Sequence, residues 1–224
     1  MGDSAKADRV LPATLAFTAA HVDTCGFVAL FSLFTAHVTG NFVLLGASLL
    51  GRHPVVLAKL LALPVFILVV AITRLCIINS RTTSGAVRGV LLAELVFLTL
   101  FLITGLNAAP IVDPDSPAAL LAGMMAVAAM AVQNAALRTV FVALAPTTVM
   151  TGNITQIVLD CVDFLTARTA DVKTAMRARV ARFAPPILAF AGGAVLGALG
   201  SGYLGFWCLI APIAIVGALL GREW

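Results

Sequence analysis

Leu60-Leu61-Ala62-Leu63-Pro64-Val65-Phe66-Ile67-Leu68-Val69-Val70 holds no charged and no hydrogen-bonding side chain. A strand of a membrane β-barrel would alternate apolar with polar residues. A helix of a soluble protein would turn a polar face to water every three or four residues. This run does neither, so it belongs inside a bilayer as a helix. It is part of a longer apolar segment, Val55–Ile78, and about 20 such residues are enough to cross the hydrocarbon core.

Working outward, five more runs qualify: Leu11–Leu33, Val90–Ala108, Ala118–Leu144, Ile187–Leu199 and Tyr203–Leu220. The fifth of the six, Ile187–Leu199, is short; Pro185-Pro186 marks its start, since proline is accepted in a first helical turn. Leu11–Ala20 imitates the core of a signal peptide, but the apolar run continues to Leu33 and reads as a span. Asn41–Leu50 and Asn153–Leu165 are apolar but too short to cross.

Composition agrees. Of 224 residues, 61% are hydrophobic and 11% charged, with a mean hydropathy of +1.09. A soluble domain has about 25% charged residues, so a water-soluble globule and a disordered chain are both excluded. The net charge of +4 does not imply nucleic acid, because the basic residues fall between the spans and set orientation. With the amino terminus inside, the inner segments carry Lys6, Arg9, Arg74, Arg81, Arg88, Arg168, Lys173, Arg177, Arg179, Arg182 and Arg222; the outer ones carry Arg52, with Asp113 and Asp115. Lys59, near an outer helix end, reads as snorkelling. Both termini are therefore expected in the cytoplasm of a bacterial inner-membrane protein, with the bilayer as its partner. The basic stretch Arg168–Arg182 reads as a positive-inside loop that also suits anionic lipid heads.

The chain repeats itself. His37-Val38-Thr39-Gly40-Asn41 returns as Val149-Met150-Thr151-Gly152-Asn153. The same offset sets Thr35 on Thr147 and, within a residue or two, the cluster around His21 and Asp23 on Gln133 and Asn134. Each copy contains three spans. Because three is odd, consecutive copies must enter the membrane with opposite orientation, as in many transporters. The expected fold is all-α and polytopic: six transmembrane helices as two inverted three-helix repeats, with broken helices at the two Thr-Gly-Asn motifs. Its divisions are a cytoplasmic segment 1–10, repeat one 11–108, an external loop 109–117, repeat two 118–221 with a basic loop 166–184, and a terminus 222–224.

Glycine releases the backbone from helical geometry, and Thr and Asn cap helix starts. Pro146 is expected to stop the preceding helix. Each motif thus predicts a break followed by a new helix. Broken backbone inside a membrane must be covered by protein or line a wet cavity, and helix starts attract anions. The sequence therefore predicts a substrate site near mid-membrane made of Asp23, Thr35, Thr39, Gly40, Asn41, Gln133, Asn134, Thr147, Thr151, Gly152 and Asn153. The competing reading is plain helix packing by Thr, Gly and Asn. Asp23, in the first span, needs a partner, and Arg138 is the candidate for a structural ion pair; a proton-coupling or substrate role is the alternative. Glu94 reads as solvated or paired. Gly193 and Gly197 form a small-residue face for close packing, within the chain or between copies of a homo-oligomer.

No Gly-x-Ser-x-Gly, Walker A or His-Glu-x-x-His pattern occurs, so no enzyme and no cofactor are expected. Cys25, Cys76, Cys161 and Cys208 are scattered. With only His21, His37 and Cys25 near one another, neither a metal site nor a disulfide framework is indicated. The functions in play are a small-solute transporter or channel favouring anions, a non-transporting scaffold or lipid-interacting protein, and, third, an intramembrane enzyme.

The stretches His21-Val22-Asp23-Thr24-Cys25-Gly26-Phe27 and Phe34-Thr35-Ala36-His37-Val38-Thr39-Gly40-Asn41, with Gln133-Asn134-Ala135 and Thr147-Thr148-Val149-Met150-Thr151-Gly152, resemble the YoaK-like bacterial membrane proteins, a family of unknown function. The resemblance runs from about Leu11 to Leu220. One departure is Ala131-Val132, where the family often has glycine before the Gln-Asn pair. The resemblance implies a six-span inner-membrane protein and no substrate.

Overall fold

The computed structural model describes residues 3–50, 57–166 and 169–224. These are helices and turns throughout, with no strand among the described residues. Arg52, Arg168 and the start of the expected span at Val55 lie outside them.

Helix α1 (Asp3–Ala29) begins earlier than its apolar run and carries Pro12 near its start. It stops at Ala29, short of Leu33, because Phe31 and Ser32 both adopt left-handed backbone, φ 52° and 64°. Ser32 N–H then reaches back to the carbonyl of Phe27 at 2.9 Å, a helix-ending bond that satisfies an orphan carbonyl. Helix α2 (Gly40–Ser48) follows the first Thr-Gly-Asn motif. Helix α3 (Leu57–Ile78) contains the decisive apolar run. Lys59 in its first turn is buried rather than reaching the surface.

Helix α4 (Thr83–Ala108) is capped by Thr82, whose hydroxyl accepts from Gly85 N–H at 3.0 Å. Helix α5 (Pro117–Leu137) starts with Ser116 as cap and proline in its first turn, the expected opening for such a helix. It is rich in alanine, and its small side chains allow close approach on several sides; 72% of its apolar window is buried, which makes it the core of the bundle. It ends at Leu137, well before Leu144, so Pro146 does not terminate it; the chain has already left the helix in turns.

Helix α6 (Met150–Thr166) follows the second motif. Helix α7 (Ala170–Leu204) then runs 35 residues through Pro185 and Pro186 without interruption. Most of the expected basic loop is therefore the amino-terminal half of α7. At 1.5 Å per residue α7 is about 52 Å long, far more than the ~30 Å hydrocarbon core, so its basic half lies beyond the spanning part. Gly205, φ 58°, ends it. A short 3-10 turn (Gly205–Leu209) leads into α8 (Ile210–Leu220).

Four helical stretches among the described residues are long and apolar enough to cross a membrane: Leu57–Ile78, Thr83–Ala108, Pro117–Leu137 and the run Ala170–Leu220. Packing is pairwise. α1 lies along α7, α5 along α3 and α4, and α8 against α4 and α1, while α1 and α5 touch at the centre; α2 packs on α3 and α6 on α7. The α1–α7 seam rests on the glycine face expected from sequence: a Cβ at Gly197 would stand 2.6 Å from the backbone oxygen of His21, and one at Gly193 would strike Phe17.

Candidate functional site

Asp23 faces inward from α1 and is 6% exposed. Because the chain reverses at Phe31 and Ser32, the following residues fold back over it. Thr35 N–H and Ala36 N–H each donate to its Oδ1 at 2.7 Å, Thr35 Oγ1 adds a third bond at 3.2 Å, and His37 Nδ1 sits 2.6 Å from Oδ2. Gly26 makes the approach feasible, since a Cβ there would meet Thr35 Cγ2 at 2.7 Å. The carboxylate thus replaces the water its charge would need with two backbone amides, a hydroxyl and an imidazole, bonds of the charge-assisted kind. His37 is 30% exposed, and Phe34 and Phe190 approach its ring edge-on. Its Nδ1 is engaged with Asp23, which leaves Nε2 as the nitrogen able to exchange a proton with its surroundings.

The motif itself serves the same loop. Asn41 Oδ1 accepts from Phe34 N–H at 3.0 Å and its Nδ2 donates to the Phe34 carbonyl at 2.9 Å. One side-chain amide therefore satisfies both backbone groups of a residue that no helix or strand serves. Thr39 makes no side-chain cap bond and is exposed.

The second copy repeats this design with uncharged groups. Asn153 Nδ2 donates to the Pro146 carbonyl at 2.7 Å. Pro146 stands where Phe34 does in the first copy, and having no N–H it allows only half of the clasp. Where Asp23 accepts from Thr35, Gln133 Nε2 donates to Thr147 Oγ1 at 3.0 Å and to the Leu15 carbonyl of α1 at 2.8 Å. Asn134 Oδ1 accepts from Thr148 Oγ1 at 2.8 Å. Gln133, Thr147 and Asn153 are each 2% exposed or less; Thr151 and Gly152 are exposed.

Two expectations are corrected. Arg138 is not the partner of Asp23, whose bonds go to Thr35, Ala36 and His37; Arg138 caps the carboxyl end of α5. Nor do the two motif helices meet, for α2 and α6 have no contact with each other. The predicted residues therefore fall into two clusters: Asp23, Thr35 and Asn41 with His37, and Gln133, Asn134, Thr147 and Asn153 with Thr148. Thr39, Gly40, Thr151 and Gly152 stand outside the buried part of both. Each Asn side chain is spent on its own loop, and the two helix starts stand apart.

A cavity of about 330 Å³ adjoins the second cluster, lined by Phe66, Val70, Arg74, Asn134, Ala135, Arg138 and Thr139. Arg74 of α3 and Arg138 at the end of α5, both exposed, line it beside Asn134 and Thr139, with no acid on its wall. Neither arginine has an ion-pair partner among the described residues. Such a set can hold a small anion by several donors at once. Sequence reading missed Arg74 as a site residue because it counted only as a positive-inside charge; its place on α3, which packs along α5, was the missing fact. Glu94 was also misjudged, being 2% exposed with an unpartnered Oε1. The scattered cysteines Cys25 and Cys208 come together, sulfur to sulfur 3.5 Å, next to His21, whose Nε2 lies 3.0 Å from the Cys208 carbonyl.

The chain is thus a helical membrane-type protein with two polar clusters at corresponding points of a repeated sequence. The profile of a family described as "Protein of unknown function (DUF1275)" matches residues 11–221, and the chain belongs to that family, in keeping with the YoaK-like resemblance. No curated protein and no solved structure matches it.

Proposed function

We propose that this protein is a transporter or channel for a small anionic or hydrogen-bonding solute in the bacterial inner membrane, and not an enzyme. The observation that carries the reading is the cavity of Arg74, Arg138, Asn134 and Thr139, which has no acid on its wall and two cations without an ion-pair partner among the described residues. Asn134 also joins it, through Thr148, to the buried cluster of the second copy. Asp23–His37 is the protonatable counterpart in the first copy.

The helix partnerships support an inverted repeat of three plus three spans. Under the sequence offset α1 corresponds to α5, α2 to α6, α3 to α7 and α4 to the segment ending in α8. The α1–α7 seam then maps onto α5–α3, α2–α3 onto α6–α7, and α5–α4 onto α1–α8, while α1–α5 and α4–α8 map onto themselves. Such closure suits two units related by a two-fold axis in the membrane plane. The Lys and Arg distribution supports a cytoplasmic position for both termini.

Thermal stabilisation of the purified protein by a panel of inorganic and carboxylate anions tests the reading. One or more anions should raise the melting temperature. Arg138→Gln or Arg74→Gln should then weaken binding by about 10- to 100-fold, the effect of losing a hydrogen bond to a charged group worth about 1.5–3 kcal/mol. If no anion shifts the protein and proteoliposomes show no uptake, the transport reading fails. A non-transporting scaffold then becomes the better account, favoured by the way both motif asparagines are spent on holding loops.

A further inference from the structure

Glu94 lies in the middle of α4, without an ion-pair partner among the described residues. It is 2% exposed and its Oε1 has no hydrogen-bond partner. The elements packed on α4 are α5, α8, the 3-10 turn and α3. α5 and α8 contain no titratable side chain, and the turn offers Cys208 alone. α3 offers Lys59 in its first turn and Arg74 and Cys76 towards its end. On α4 itself the other charge is Arg88, which is exposed. No cation lies within ion-pair distance of Glu94 among the described residues. A carboxylate buried without a partner neutralises by keeping its proton.

A cavity of about 380 Å³ lies between α3 and α4, walled largely by apolar residues such as Val69, Ile72, Val90 and Phe97, with Gly89 and Ser80 also on its wall. It begins at the α3–α4 turn and reaches the middle of α4. Val90 and Phe97, four residues before and three after Glu94, share its side of the helix. Ala93, next to Glu94 in the chain, lines the cavity, and proton exchange requires the acid to turn towards it. Unpartnered buried oxygens also occur on Gln133 of α5 and Thr18 of α1, so the polar groups of this core are not closed off among themselves.

We propose that Glu94 is a proton-binding site within the membrane core, neutral at neutral pH, exchanging its proton with water that enters along the α3–α4 cavity. The inference stands apart from the anion cavity and needs no solute.

The test uses the full chain in lipid nanodiscs and dicyclohexylcarbodiimide, an apolar reagent for protonated carboxyl groups. The acid proton moves to a carbodiimide nitrogen as the carboxyl oxygen bonds the central carbon and one C=N π bond opens. The O-acylisourea so formed rearranges to a stable N-acylurea, which peptide mass spectrometry locates. Glu94 should be labelled at neutral pH and several-fold more slowly in alkali. Glu94→Gln should remove the label. Gly89→Leu should slow it several-fold, because a Cβ at Gly89 meets nothing within 4 Å and a larger side chain there fills the cavity. In parallel, the infrared C=O band of a protonated carboxyl should be present in the wild type, shifted in Glu94→Asp and lost in Glu94→Gln. An ionised carboxylate assigned to Glu94 at neutral pH overturns the proposal. So does a protonated band that takes no label, or a labelling rate that Gly89→Leu leaves unchanged. Failure here leaves the anion reading standing, and failure of anion binding leaves this one standing.

Discussion

Asn41 and Asn153 occupy the same motif position, yet they carry different loads. Asn41 holds both backbone groups of Phe34, whereas Asn153 holds the single available group of Pro146. Leaving a buried polar group unsatisfied costs about 1–3 kcal/mol. Asn41→Ala should therefore destabilise the protein by about 2–4 kcal/mol on that basis, and Asn153→Ala by roughly half as much. Melting curves in one detergent would show it, and equal losses would mean that the Phe34 amide finds another partner. Asp23→Asn should disturb the first loop further, since the carboxylate is the acceptor for four donors. Its signature would be a changed His37 titration by NMR.

At this scale the sequence was partly legible. It singled out Asp23 because a charge in an apolar run must be satisfied, and Thr35, Asn41 and their counterparts because the Thr-Gly-Asn segment is repeated. It could not show by what. Arg138 was the cation that fell within an expected span, but the carboxylate took backbone amides that no side-chain pattern announces, released by two left-handed residues, Phe31 and Ser32, with no glycine to signal them.

Among the elements, the α1–α7 seam is the contact most exposed to a test. Gly193 and Gly197 stand against backbone atoms of Phe17 and His21, whereas a Cβ at Gly192 meets nothing within 4 Å. Gly197→Leu should cost about 1–3 kcal/mol or more, the usual price of overpacking against atoms that cannot retreat. Gly192→Leu should be close to neutral. Thermal stability of the two variants side by side checks this, and equal effects would displace the seam from its place in the fold.

The α6–α7 pair makes a second prediction at this scale. Asp160 of α6 is fully buried, with Arg179 of α7 2.7 Å away. The hydrogen bond from Arg179 holds its carboxyl below the usual aspartate range, burial works against that, and Gln156 assists. A depressed folded pKa means stability that is present above the unfolded value and lost as pH falls through the folded one. The α6–α7 contact should hold at neutral pH and loosen only in acid below the ordinary aspartate range. Hydrogen exchange in α6 at stepped acid pH would show it, and Arg179→Gln should loosen the contact already at neutral pH. Helix boundaries here were the least legible feature of the sequence. Arg177, Arg179 and Arg182 looked like a loop because they interrupt hydrophobicity, although nothing in them opposes a helix, and Pro185-Pro186 looked like a start although the helix passes through.

For the whole molecule, the long apolar runs were enough to read an all-helical membrane protein from residues alone, because nothing else tolerates a stretch like Leu60–Val70. The pairing of helices was not readable, since every apolar face suits every other until small residues such as Gly193 and the alanines of α5 decide who comes close. Orientation remains a prediction of charge: reporter fusions after Arg81 and at the carboxyl terminus should read cytoplasmic, and one after Asp113 external. An external carboxyl terminus would reverse the assignment of both faces.

The unbroken course of α7 ties events at two depths together. Were its close contact with α1 at Gly193 and Gly197 to act as a pivot, Lys173 would sit twenty residues from Gly193, about 30 Å along the same rod. A tilt of about 5° at the pivot swings that far end by roughly 2.6 Å on this length. A tilt of this kind would magnify small adjustments among the spans, lever-fashion, into a displacement of positive charge at the far end of α7.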